Sequence, residues 1–186
     1  MTTALVTLLA VVVALLVVLV TGLLRSHAQA LRTLLDRGRD RPAPPGSMEG
    51  AGAGDVVGTT PAGGAVHVRI AGVPQPTLLL FLTSSCTTCR ALWESLPGGA
   101  PRVLPADLRV VVVTKGAEAD SSARLRRVAP AEVTVVMSTA TWHTYGVATA
   151  PSFVLVDGAS GRVVARGPAP TWDDIAAACE HRTGVR

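Results

Sequence analysis

The chain has 186 residues, enough for one domain with an appendage. Its formal charge of +4 is small, and neither a basic aromatic face nor zinc-finger spacing accompanies it, so nothing points to nucleic acid. Three cysteines are too few for a disulfide scaffold, and two of them form one close pair, Cys86 and Cys89.

In chain order, a short tail over 1–3 precedes Ala4 to Leu24, 21 residues without a charge and mostly Val, Leu and Ala. As a helix that run measures about 31 Å, the thickness of a bilayer core of about 30 Å. The start, MTTA, has no Lys or Arg, and the run exceeds the roughly 7–15 apolar residues of a cleaved signal. A retained single transmembrane helix over 4–24 is expected. Arg25, Arg32, Arg37, Arg39 and Arg41 all follow it, which by the positive-inside rule places the rest of the chain in the cytoplasm.

Leu24, Ala28, Leu31 and Leu35 continue a helical spacing up to Gly38. The segment RPAPPGSMEGAGAGDVVGTTPAGG buries little apolar surface and reads as a tether. A juxtamembrane helix and linker over 25–64, then a globular domain over 65–186, are therefore expected.

Within that domain Val66 to Ile70 alternates as a short strand. Thr77 to Thr83 is a continuous apolar run, the pattern of a central strand buried on both faces. A helix should begin at the cysteine pair and reach about Leu96, where Pro97-Gly98-Gly99 ends it. Leu108 to Thr114 is a second central strand, Glu118 to Val128 a helix, Glu132 to Met137 a strand, and Trp142 to Tyr145 a short helical turn. Ser152 to Asp157 and Arg162 to Arg166 flank Gly158 and Gly161 and read as an antiparallel hairpin. The last helix runs from Thr171, its N-cap, to about His181, with Asp173 and Asp174 in its first turn. This order describes an α/β fold, a central mixed sheet with helices on both faces.

The pair in TSSCTTCR follows the first buried strand directly. At a helix start the N–H groups lack helical partners and the dipole is positive, and both favour a thiolate, the nucleophilic form of cysteine. With Cys89 one turn deeper, Cys86 can attack a disulfide and Cys89 can resolve the mixed disulfide that results. Arg90 adds positive charge or is a solvated surface residue. A second feature is Pro151, placed just before an apolar strand where it cannot donate a ladder hydrogen bond. It fits a cis Ala150–Pro151 bond in a turn packed against the cysteines.

Two other readings of the pair stay open. It could be redox-inert, in a membrane-anchored binding module. It could also bind zinc with Cys179 and His181, although two residues so close on one helix point in different directions. Cys179 fits better as a small buried residue of the last helix. His67 and His143 read as structural or exposed, Trp93 as core, and Tyr145 as packing near the proline loop. Trp142 and Trp172 receive no functional assignment, and no phosphate-binding, dinucleotide or serine-nucleophile motif is present.

FLTSSCTTCRALW, followed about sixty residues later by YGVATAPSFVLVDGASGRVVARG, resembles the thioredoxin-like thiol–disulfide oxidoreductases. It is most similar to their membrane-anchored bacterial branch, which includes reductases of cytochrome c maturation and the accessory protein of methylamine dehydrogenase maturation. The resemblance spans Val66 to Arg182, and the order of elements favours the same thioredoxin-like fold. It implies Cys86 as attacking thiol, Cys89 as resolving thiol, and Pro151 as the cis proline beside them. Ala150 would offer backbone hydrogen bonds to a partner chain. It implies a protein thiol or disulfide substrate, a protein electron donor or acceptor, and no cofactor or metal, the dithiol itself carrying two electrons. It also implies a domain outside the cytoplasmic membrane, opposite to the charge rule. The chain departs from thioredoxin itself in Ser85, where thioredoxin has Trp, in Thr87-Thr88, where it has Gly-Pro, and in Leu80, where it has a buried acid. These departures imply a dedicated partner rather than general thioredoxin activity.

Overall fold

The computed structural model describes residues 49–99 and 101–183. The span expected over 4–24 and the arginines after it lie outside them, and among the described residues no helix is long and apolar enough to cross a membrane.

Seven strands form one mixed sheet. They are β1 (Val56–Thr59), β2 (Ala65–Val68), β3 (Thr77–Phe81), β4 (Arg109–Thr114), β5 (Thr134–Met137), β6 (Ser152–Asp157) and β7 (Arg162–Pro168). Their order across the sheet is β2-β1-β5-β4-β3-β6-β7. β3, β4 and β5 run parallel, while β6 and β7 continue antiparallel beyond β3 and β1 and β2 antiparallel beyond β5. The helices are α1 (Cys89–Ser95), α2 (Ser122–Val128), α3 (Thr139–Thr144) and α4 (Trp172–Thr183).

Every residue of β3 is buried, as its unbroken apolar run requires. Successive side chains of a strand face opposite ways, and this splits the core in two. Leu78, Leu80 and Leu82 join Leu92 and Trp93 of α1, Leu125 of α2 and Ile175 of α4 on one face. Leu79 and Phe81 join Trp142 of α3 and Tyr145 on the other. The Phe81 and Trp142 rings meet edge to face, with centroids 5.4 Å apart.

The structure corrects the expected elements in three places. The first concerns the domain boundary: β1 lies inside the stretch read as linker, so the sheet begins well before Ala65. Val56 is fully buried, and Gly58 packs so closely that a Cβ there would lie 2.3 Å from the Met137 carbonyl oxygen. The glycine that suggests a tether is instead what lets β1 approach β5. The chain before β1 is also fastened: Ala53 N–H donates to Gly161 O at 2.7 Å, and the Tyr145 hydroxyl donates to Gly54 O at 2.5 Å. The second correction is α1, which starts at Cys89 and not at Cys86, after a turn over 87–88. The third is α2, which starts at Ser122 because the Ser121 hydroxyl accepts from Arg124 N–H at 3.3 Å and caps the helix there. Thr171 does cap α4, its hydroxyl oxygen accepting from Asp174 N–H at 3.2 Å.

Candidate active site

The cysteine pair stands at the C-terminal end of β3, the central parallel strand. Leu82 N–H still donates to Val113 O at 3.2 Å, after which the chain leaves the sheet. Two long-range contacts then hold the turn. The Trp93 indole N–H donates to Thr83 O at 3.3 Å. The Asp120 carboxylate, from the loop after β4, accepts from Ser84 N–H at 3.0 Å, from the Ser84 hydroxyl at 2.5 Å and from Ser121 N–H at 2.8 Å.

That turn presents Cys86 half-buried and Cys89 fully buried. Cys89 N–H, the first of α1, donates to Cys86 Sγ at 3.2 Å. A backbone N–H at the start of a helix thus faces Cys86 Sγ, although α1 begins three residues beyond it. Burial pushes the Cys89 thiol up to about 12; the hydrogen bond and charge of Cys86 and the Asp120 carboxylate act in the same direction, against a backbone contact at Thr83. The two sulfurs therefore differ in kind: one reachable and hydrogen-bonded by backbone, the other dry and held as thiol.

Strand pairing supplies the opposite wall. β6 runs antiparallel to β3 with Ser152 opposite Phe81, so the residues just before β6 return beside the turn just after β3. The Ala150 carbonyl oxygen lies 3.8 Å from Cys86 Sγ, a weak thiol contact, and the Ala150–Pro151 peptide bond is cis. The four residues singled out in the sequence, Cys86, Cys89, Ala150 and Pro151, thus converge from positions more than sixty residues apart.

Other candidates lie elsewhere. Cys179 packs in the same core layer but opens onto a cavity with Pro76, Leu108 and Asp157, at the N-terminal end of β3 and so far from Cys86. Burial raises its thiol as well. The zinc reading loses its geometry on this ground, and among the described residues no group of three His, Cys, Asp or Glu is arranged to hold a metal. His67, on edge strand β2, pairs with Asp55 at 2.8 Å. The Asp55 carboxyl is held below its usual value, first by the Ile70 N–H. Leu80 is fully buried in the layer that contains Cys89, and the carboxylate whose charge acts on Cys89 is that of Asp120. Sequence reasoning missed Asp120: an Asp-Ser-Ser before a helix signals only a cap.

Neither a protein-family model nor a curated protein matches the chain. Solved structures do match. The exposed lipoprotein thioredoxin Etrx1 of Streptococcus pneumoniae superposes with a TM-score of 0.56 at 18% identity, over 71% of this chain and 100% of that one. A thiol:disulfide interchange protein DsbE of Chlorobium tepidum gives a TM-score of 0.51 at 23% identity, over 73% and 94%. The fold is thioredoxin-like. The dsbF of MTB, solved in mixed oxidised and reduced forms, shares it at 20% identity over 68% of this chain and 93% of that one, with a TM-score of 0.51. In this thioredoxin-like chain Ser85, Thr87 and Thr88 are exposed around Cys86, whereas the other departure from thioredoxin, Leu80, is buried.

Proposed function

We propose that the protein is a thiol–disulfide oxidoreductase that exchanges two electrons with protein partners through Cys86 and Cys89. One observation carries this reading. A half-buried sulfur accepts a backbone N–H at 3.2 Å from a second, fully buried cysteine one turn on. Acting as reductant, the Cys86 thiolate attacks one sulfur of the partner's disulfide. A new S–S bond forms, the partner's bond breaks, and the departing thiolate takes a proton. Cys89 then gives up its proton and attacks Cys86 Sγ, which expels the partner's other sulfur as a thiolate that is protonated in turn. The protein loses two electrons, the partner gains them, and no further cofactor enters the balance. The same steps reversed oxidise a dithiol partner. Ala150 and Pro151 flank Cys86 where a partner's chain would lie, and the exposed Ser85 and Thr87 support a dedicated partner.

The decisive experiment is a redox titration of the full-length chain in dithiothreitol buffers, with alkylation and mass spectrometry of Cys86 and Cys89. A reversible two-electron transition that disappears in Cys86→Ser is the expected result. Its absence overturns the assignment and leaves a redox-inert binding module. Cys89→Ala should accumulate mixed disulfides with the partner, and failure to do so removes the resolving role.

The uncharged run Ala4 to Leu24 supports a membrane tether, with the domain on the outer face as in the branch that the chain resembles. A membrane-impermeant maleimide applied to intact cells should label Cys86. Protection until lysis would place the domain inside, where the five arginines after the run would have it.

A further inference from the structure

Beside Cys86 lies a groove of about 620 Å³ between α1 and α2. Its lining includes the apolar Trp93, Pro97 and Val128, and three arginines: Arg90 from the first turn of α1, and Arg124 and Arg127 from α2. The one acid lining it is Glu94, so three positive charges face one negative, a net of +2. Asp120 stands behind Ser84, its carboxylate engaged by Ser84 and Ser121.

The arginines are available for a ligand. All three are exposed, and among the described residues no hydrogen bond or ion pair engages their guanidinium groups. Arg126, between them in sequence, turns away and donates to Pro61 O at 3.1 Å. Helical spacing explains the division: Arg124 and Arg127 are three apart and share a face, whereas Leu125 points into the core.

From this we infer that the groove receives an acidic polypeptide segment adjoining the partner's reactive cysteines. The inference rests on the thiol–disulfide reading above and names the substrate class of that site. Side chains at i and i+3 of a helix are about 5–6 Å apart. Alternate residues of an extended chain are about 6.6 Å apart and point the same way. An extended segment with acidic residues at alternate positions therefore presents its carboxylates in step with Arg124 and Arg127. Guanidinium groups bind carboxylates in a bidentate manner. The exposed Pro97 and Val128 add apolar surface to the same groove, and Cys86 lines it where the partner's sulfur must arrive.

The test uses the full-length reduced chain and three synthetic peptides, each with one internal disulfide, flanked by Glu-Ser-Glu, Ser-Ser-Ser or Lys-Ser-Lys. Exchange rates are measured at low and at about 0.5 M salt, with bis(2-hydroxyethyl) disulfide as an uncharged reference. At low salt the Glu peptide should react about tenfold faster than the Ser peptide and the Lys peptide slowest, the order compressing in high salt because exposed charges are screened. In the double variant R124E/R127E the Glu-to-Lys rate ratio should invert. Equal rates for the Glu and Lys peptides in the wild-type chain overturn the inference, as does an unchanged ratio in the double variant. If the uncharged disulfide reacts and the charge order is absent, this inference alone fails. If no disulfide reacts, the oxidoreductase reading fails and takes this inference with it.

Discussion

The buried position of Cys89 sets how the dithiol responds to pH, and pH is therefore the sharpest perturbation. Oxidising the pair to a disulfide releases whatever protons the two sulfurs hold in the reduced state. For a two-electron couple each such proton changes the equilibrium tenfold per pH unit, which is about 30 mV per pH unit. A Cys89 with its ordinary value of 9.0 would lose its proton through pH 9, and its share of the slope would vanish by about pH 10–11. Here burial, helped by Cys86 and Asp120, holds the proton to about 12. The potential should keep falling between pH 9 and 11 by at least about 60 mV, two pH units at about 30 mV each. Equilibration with dithiothreitol buffers across that range, corrected for the titration of dithiothreitol itself, then acid quench and alkylation, measures it. A potential that levels off by pH 10 refutes the argument, because it would mean that Cys89 is solvated and charged.

The same shift has a consequence for stability, with a definite sign. The folded chain holds the Cys89 proton more tightly than the unfolded one, so this contribution to stability is complete below about pH 9. It is lost as pH rises toward about 12, because the unfolded chain ionises first. The disulfide form has no such proton. Above pH 9 the melting temperature of the reduced protein should therefore fall relative to that of the oxidised protein. A constant gap from pH 8 to 11 would count against the burial of Cys89.

Leu80→Ala removes a fully buried side chain between β3 and α1 and should cost about 2–5 kcal/mol in denaturant unfolding; a loss below 1 kcal/mol would mean that the layer collapses into the space. Asp120→Asn weakens the hold on Ser84 and Ser121, for an expected loss of about 1–3 kcal/mol, and moves the high-pH break in the potential downward by removing a charge that disfavours the Cys89 thiolate. An unmoved break would exclude Asp120 from the electrostatics of the pair. Gly58→Ala forces a methyl against the Met137 carbonyl and should cost about 1–3 kcal/mol, with early amide exchange in β1; wild-type exchange there would show that β1 is not held as described. Tyr145→Phe deletes the hydroxyl bonded to Gly54 O and should lower stability by about 0.5–1.5 kcal/mol without changing exchange at Cys86.

What could be read in the sequence follows the range of the forces involved. β3 and β4 announce themselves because a strand buried on both faces must be apolar throughout, as TLLLF and RVVVVT nearly are. The β6–β7 hairpin and the Thr171 cap are equally local, each a short pattern with a mechanism. β1 is the counterexample. VVGT carries almost no strand signal, and glycines surround it; its place comes from the close approach of Gly58 to β5 and from backbone bonds of the preceding residues to the β7 end of the sheet. The start of α1 is illegible in the sequence for a similar reason, since no side chain caps it and the turn before it is held from outside, by Asp120 and Trp93.

The site itself falls between these cases. Cys86 and Cys89 are a local motif, and Pro151 before an apolar strand is another, but neither states that they meet. Their meeting depends on one register: Ser152 opposite Phe81. Because side chains alternate along a strand, a slip of one residue between β3 and β6 would turn Phe153 and Leu155 out of the layer that holds Cys89 and carry Ala150 away from Cys86. The apolar pattern that buries both faces of β3 is thus also what aligns the two halves of the site. Asp120 joins them through the parallel pairing of β4 beside β3, which returns the loop after β4 to the same end of the sheet. The electrostatics of Cys89 are in this sense a property of the sheet order, and substitutions that loosen β4 or β6 should alter the redox chemistry before they unfold the chain.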